Sequence, residues 1–109
     1  MDPLIAQNIT ILTELCRKFS VEKMYLFGSA STNSLEKNSD LDFLISFKKD
    51  LSPLSYSDNY FTLHQELEKL FNSEIDLVTE NSLSNPYFIE GINETKQLIY
   101  DEKAQEISA

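Results

Sequence analysis

The chain has 109 residues, with eighteen acidic against nine basic side chains and a formal net charge of −9. That length holds one hydrophobic core and falls short of two ordinary domains, so a single domain over residues 1–109 is expected. The acidity repels a polyphosphate backbone and argues against nucleic acid as a direct partner. No apolar run approaches the roughly 20 residues that span a bilayer, so no membrane anchor is expected. Met1-Asp2-Pro3 lacks the basic and apolar stretches of an export signal, and Cys16, the only cysteine, cannot form an internal disulfide. Both features point to a reducing cytoplasm.

In chain order, Leu4, Ile5, Ile9, Leu12, Cys16 and Phe19 recur at helical spacing, with Asp2 placed to cap and Pro3 at the first helical position. A helix over Pro3 to Phe19 is predicted. Lys23-Met24-Tyr25-Leu26-Phe27 reads as a buried strand closed by a turn at Gly28, and Leu41 to Phe47 as a second strand. Leu51-Ser52-Pro53-Leu54-Ser55 reads as a loop. Ser57 or Asp58 then caps a second helix, with Tyr60, Leu63, Leu67, Leu70 and Phe71 on one face up to Asn72. A third strand is expected over Glu74 to Thr79, then a short helix from Asn85-Pro86 ended by Gly91, then an edge strand over Lys96 to Tyr100. The polar residues from Asp101 on, 102–109 in particular, are expected to fray. This order predicts an α/β (α+β) domain, a small mixed β-sheet flanked by helices.

Three aspartates stand out against that frame. Strands disfavour aspartate, yet Asp42 sits among Leu41, Phe43, Leu44 and Ile45, and Asp76 sits between Ile75 and Leu77. Asp40 lies two residues before Asp42, and side chains two apart on a strand share a face roughly 6.5 to 7 Å apart. Asp40 and Asp42 therefore point into one space, and alternation leaves Asp76 on the face opposite Ile75 and Leu77. A single aspartate after Asn38-Ser39 is more often a turn residue. Asp42 and Asp76 together, downstream of a strand ending in Gly28-Ser29, favour a shared site. Hard oxygen ligands select Mg²⁺ or Mn²⁺, and two such ions about 3.5 to 4 Å apart fit between three carboxylates. One ion neutralises a triphosphate and the other activates an attacking hydroxyl, with Asp76 as general base. Gly28 admits close backbone approach to a ligand, and Ser29 with its following N–H groups suits a phosphate. This is the set that a metal-dependent nucleotidyl transfer from a nucleoside triphosphate requires.

Gly28-Ser29, ten intervening residues, Asp40-Leu41-Asp42-Phe43-Leu44-Ile45 and then Asp76 resemble the minimal nucleotidyltransferases of the polymerase-beta superfamily. Asn85-Pro86-Tyr87-Phe88-Ile89-Glu90, leading to Leu98-Ile99-Tyr100, resembles the C-terminal part of their MNT antitoxin group. The resemblance spans residues 22 to 102 and implies a polymerase-beta-like nucleotidyltransferase fold. It also implies that Gly28 and Ser29 contact the triphosphate, that Asp40 and Asp42 bind metal, and that Asp76 completes the site. The implied partner is a HEPN ribonuclease toxin, held in a hetero-oligomer and silenced by AMP transfer to one of its tyrosines.

Family members commonly follow Gly-Ser with a small residue and then Arg-Gly, whereas here Ala30 precedes Ser31-Thr32. Arg17, the only arginine, lies in the first predicted helix, so Lys37 is the candidate phosphate-binding cation. The departure favours a rival: an antitoxin with little or no catalysis that neutralises its partner by stable binding. Retention of three carboxylates opposes that rival. Transfer to a small molecule would need a substrate domain for which 109 residues leave no room. His64, the only histidine, falls near one helix face and reads as an edge-of-core or exposed residue in preference to a catalytic one. Tyr87 and Phe88 are expected to pack onto the sheet, with docking of a partner helix as the alternative.

Overall fold

Asn8 divides the amphipathic stretch that opens the chain. Its side-chain amide donates to the Leu4 carbonyl at 2.8 Å and its backbone N–H donates to the Ile5 carbonyl at 3.0 Å. These local bonds compete with the regular helical ladder. The expected single helix is therefore two, α1 (Pro3–Gln7) and α2 (Ile9–Lys18). The apolar phase survives the break, since Ile5, Leu12 and Cys16 are all fully buried. The structure, a computed structural model, describes residues 3–27 and 41–103. Asp2, Gly28, Ser29, Lys37, Asp40 and residues 104–109 lie outside the described residues.

After a left-handed turn residue, Ser20 (φ 62°), β1 runs Val21–Phe27 and β2 runs Leu41–Phe47. The two are antiparallel, with Leu26 opposite Phe43 and Phe27 opposite Asp42. The next helix, α3, spans Pro53–Phe71 and starts more than a turn earlier than the sequence suggested. Ser52, not Ser57 or Asp58, is its cap: the Ser52 hydroxyl accepts from the Ser55 N–H at 3.2 Å, and Pro53 takes the first helical position, where a missing N–H costs nothing. Asn72, left-handed at φ 49°, ends the helix where expected. Then come β3 (Ile75–Thr79) and a short 3₁₀ turn, Glu80–Ser82.

The last helix, α4, spans Pro86–Thr95, with Asn85 Oδ1 accepting from the Tyr87 N–H at 2.9 Å. It passes straight through Gly91, which corrects the expectation that Gly91 terminates it. The helix stops instead at Lys96, whose backbone is extended. The final strand, β4, is Gln97–Asp101, displaced one residue toward the C-terminus from the expected Lys96–Tyr100 because Lys96 caps α4, so Asp101, expected to fray, is part of the strand.

The sheet order is β3-β2-β1-β4, with β2 and β3 parallel and the other pairs antiparallel: the expected small mixed sheet. A parallel pair needs a long crossover, and α3 supplies it. One sheet face carries Leu41, Phe43, Ile45, Ile75 and Leu77 into the main core with residues of α1, α2 and α3. Among the described elements, α4 packs on the other face, where its Ile92 meets Phe27 and Leu44. Among the described residues no helix is long and apolar enough to cross a membrane.

Candidate active site

Alternation along β2 sends Leu41 and Phe43 into the main core and turns Asp42 to the α4 face. Along β3 it buries Ile75 and Leu77 and turns Asp76 the same way. Strand register then joins the two: Asp42 pairs directly with Asp76 across the parallel ladder. Adjacent strands lie about 4.8 Å apart and in-register side chains stand on one face, so the two carboxylates rise side by side. Asp42 is half-buried and Asp76 exposed, which leaves the pair open to a ligand from solvent. Two carboxylates at paired positions on one face supply hard oxygen donors of the kind a divalent cation takes.

The surroundings are set by β1 and α4. Phe27 is the cross-strand neighbour of Asp42, and Phe88 of α4 packs edge-on against it at 6.3 Å between ring centres. Between them lies an open apolar cavity of about 280 Å³, lined by Phe27, Tyr87, Phe88, Gly91, Ile92 and Thr95. Tyr87 does not pack onto the sheet as expected; it is 85% exposed. The reason is helical geometry, since Phe88 and Ile92 form the stripe of α4 that meets the sheet and Tyr87 lies about 100° around the helix from Phe88. Farther along the same face, Lys96 Nζ sits 4.5 Å above the Tyr25 ring.

The backbone of β3 is held from its outer side by α3. Tyr60 Oη donates to the Leu77 carbonyl at 2.6 Å, and His64 Nε2 lies 2.7 Å from the Ile75 carbonyl. A carbonyl brings no proton, so Nε2 is the donor and His64 carries its proton there. Burial pushes the Tyr60 hydroxyl above its usual pKa, and the negative charge of Asp76 adds to the shift. Helical spacing assigned Tyr60 to the core face and His64 to its margin. Both placements hold, but no periodicity in the sequence shows that their polar tips reach a strand edge.

Residues 10–105 match the polymerase beta nucleotidyltransferase family. The chain belongs to this family. A Methanocaldococcus jannaschii protein named "Putative protein adenylyltransferase" is 36% identical over 83 residues, 76% of this chain and 79% of its own length. The protein adenylyltransferase MntA of Thermococcus cleftensis is 32% identical over 72 residues, covering 66% of this chain and 69% of that protein. The fold also matches a chain from the solved complex of a tri-AMPylated Shewanella oneidensis HEPN toxin with an MNT antitoxin. That match has a TM-score of 0.63 at 20% identity over 93% of this chain and 76% of the other. In this nucleotidyltransferase, the structure brings Asp42 and Asp76 together, while Gly28, Ser29, Lys37 and Asp40 lie outside the described residues.

Proposed function

We propose that this chain is the antitoxin of a two-protein module and transfers AMP from ATP to a tyrosine hydroxyl of a HEPN ribonuclease toxin, neutralising it in the cytoplasm. The observation that carries the reading is the in-register pair Asp42 and Asp76 on one open sheet face. A purely binding protein has no use for two like charges so placed, because the repulsion destabilises the fold it depends on. The relatives named as protein adenylyltransferases and the fold shared with a toxin–antitoxin complex support the same reading.

In this reading Asp42, Asp76 and Asp40 hold two divalent cations, Mg²⁺ or Mn²⁺. When bound, these ions neutralise the triphosphate and acidify the attacking hydroxyl. Asp76, the more exposed of the described pair, takes the tyrosine proton as general base. The attacking oxygen bonds to the α-phosphorus as the bond from that phosphorus to the oxygen bridging to the β-phosphate breaks, and pyrophosphate leaves with the electron pair of the broken bond. Gly28 and Ser29 cradle the triphosphate, and Lys37 supplies the cation that the family's missing arginine would bring. The apolar cavity against Phe27, the strand neighbour of Asp42, is the room this face leaves for the nucleoside.

The test is intact-mass spectrometry of the partner toxin after incubation with this chain, ATP and Mg²⁺. One or more added AMP units, absent with Asp42→Asn and Asp76→Asn, are expected. An unchanged partner mass, with the two proteins still co-eluting, overturns transfer and leaves neutralisation by binding. Normal ATP affinity in Lys37→Ala removes Lys37 from the site.

A further inference from the structure

Among the described residues, strand β3 is the outer edge of the sheet, with a ladder partner on one side only. Carbonyls alternate in direction along a strand, so those of Ile75 and Leu77 face outward, one on each side of Asp76. An edge strand of this kind normally leaves such groups to solvent or to another chain. Here both are taken by one helix. Tyr60 bonds the Leu77 carbonyl at 2.6 Å and His64 the Ile75 carbonyl at 2.7 Å.

The match is one of pitch. Tyr60 and His64 are four residues apart, a rise of about 6 Å along α3, while alternate carbonyls of a strand repeat about every 6.6 Å. With the earlier residue on Leu77 and the later on Ile75, α3 runs against the direction of β3 and meets the edge at two successive outward positions. The rings lie 6.1 Å apart, which makes them neighbours as well as partners. The elevated pKa of Tyr60 fits this placement: burial and the Asp76 charge both keep its hydroxyl protonated, the state that donates.

We propose that Tyr60 and His64 are positioning residues that clamp the carbonyls of the two residues flanking Asp76, Leu77 and Ile75, and so hold its carboxylate in register with that of Asp42. The proposal rests on the reading of Asp76 as a residue of the transfer site. Neither side chain touches a substrate; each acts through the β3 backbone. Among the described elements, β2 lies on the opposite side of β3, and α4 packs on the sheet face that carries Phe27 and Leu44. The bland alternative is that the two bonds only shield an edge strand from pairing with another chain. In that case their loss changes stability or self-association and leaves the chemistry of the folded fraction alone.

Tyr60→Phe takes away a single oxygen and keeps the ring, and His64→Leu removes the other donor. His64→Gln returns a side-chain N–H at comparable reach. AMP transfer to the partner toxin and hydrogen exchange at the Asp76 amide are measured on each folded variant. A misplacement of about 1 Å costs up to about a hundredfold in rate, so kcat is expected to fall about ten- to a hundredfold in Tyr60→Phe and His64→Leu. KM for ATP should stay within about twofold, because Asp76 serves the acceptor side. His64→Gln should recover most of kcat. The Asp76 amide should exchange about five- to tenfold faster in the two loss variants, the range that one net hydrogen bond controls. Unchanged kcat in both loss variants overturns the proposal, as does a loss that His64→Gln fails to restore. If the wild-type chain itself transfers no AMP, the transfer reading has failed on its own account. The clamp is then judged by exchange alone, and an unchanged Asp76 amide overturns it.

Discussion

Replacing Asp76 by asparagine should make the metal-free protein more stable and the metal-loaded protein less so. Asp42 and Asp76 stand on neighbouring strands at paired positions, so their Cβ atoms lie about 5 Å apart, which sets the scale for the separation of the charges. Two unit charges at that distance repel by about 0.8 kcal/mol in bulk water, the lower, fully solvated bound for a pair with one exposed and one half-buried member. Physiological salt trims this toward about 0.5 kcal/mol. Asparagine keeps the shape and drops the charge, so Asp76→Asn should raise metal-free stability by about 0.5 to 0.8 kcal/mol, or roughly 2 to 5 °C in Tm for a domain of this size. Mn²⁺ at 100 times its Kd should stabilise the wild type by about 2.7 kcal/mol, and the variant, lacking one ligand, by much less. Urea denaturation with and without Mn²⁺ reads both numbers, and the two stability rankings should cross. A metal-free variant less stable than wild type, with an undiminished Mn²⁺ shift, would refute the idea that these carboxylates form a cation site held together against their own repulsion. Repeating the metal-free comparison at high salt provides an internal check, since the advantage of the variant should shrink.

Further expectations concern the elements that frame the site. Gly91 lies in the interior of α4, is exposed, and has no atom within 4 Å of where a Cβ would stand. Gly91→Ala should therefore add about 0.5 to 1 kcal/mol in chemical denaturation, and a loss would mean that the helix does not continue through residue 91. Ser52→Ala should cost about 1 kcal/mol as a lost N-cap, whereas Ser57→Ala, inside α3 and exposed, should stay within about 0.5. Equal effects would contradict the helix start at Pro53. Burial pushes the Cys16 thiol from 9.0 up to about 12, so native protein at pH 8.5 should resist a thiol reagent that labels the urea-unfolded chain at once. Tyr60 and Tyr100 are also shifted upward, chiefly by burial. All three groups hold their protons longer when folded, so this contribution is complete below about pH 9 and is lost as pH rises from 9 toward 12. The slope approaches about 1.4 kcal/mol per pH unit for each group. Flat stability from pH 8.5 to 10.5 would contradict it.

Much of this protein was legible because its strands violate a local rule at two places. Asp42 and Asp76 interrupt apolar runs, and the period of two alone puts each on the face away from its buried neighbours. The second and third strands, the end of α3 at Asn72 and the apolar phase of the first twenty residues come from the same local logic. The errors came where two local signals competed. Ser52-Pro53 reads equally as a loop or as a cap followed by its first helical residue, and only the length of the crossover that α3 must make decides between them. Gly91 reads as a stop, but α4 gains its stability from Ile92 against Phe27 and Leu44, which outweighs about 1 kcal/mol of glycine cost. At Asn8 the side chain competed with the helix ladder and won, which no apolar periodicity records.

The sequence by itself determined that two acidic side chains sit in strands and face away from the core, because alternation is a property of each strand alone. It could not determine that they meet. Nothing within Leu41–Phe47 or Ile75–Thr79 specifies that the two strands run parallel, or that residue 42 pairs with residue 76 and not with a residue two places away on the same face. That register is set by the whole crossover: α3 packed on the main core, Asn59 donating its side-chain amide to the Phe19 carbonyl at 2.9 Å, and Tyr60 with His64 bonded to the outer edge of β3. A site made of one residue per strand is local in chemistry and non-local in position, and only the tertiary structure brings its parts to one place.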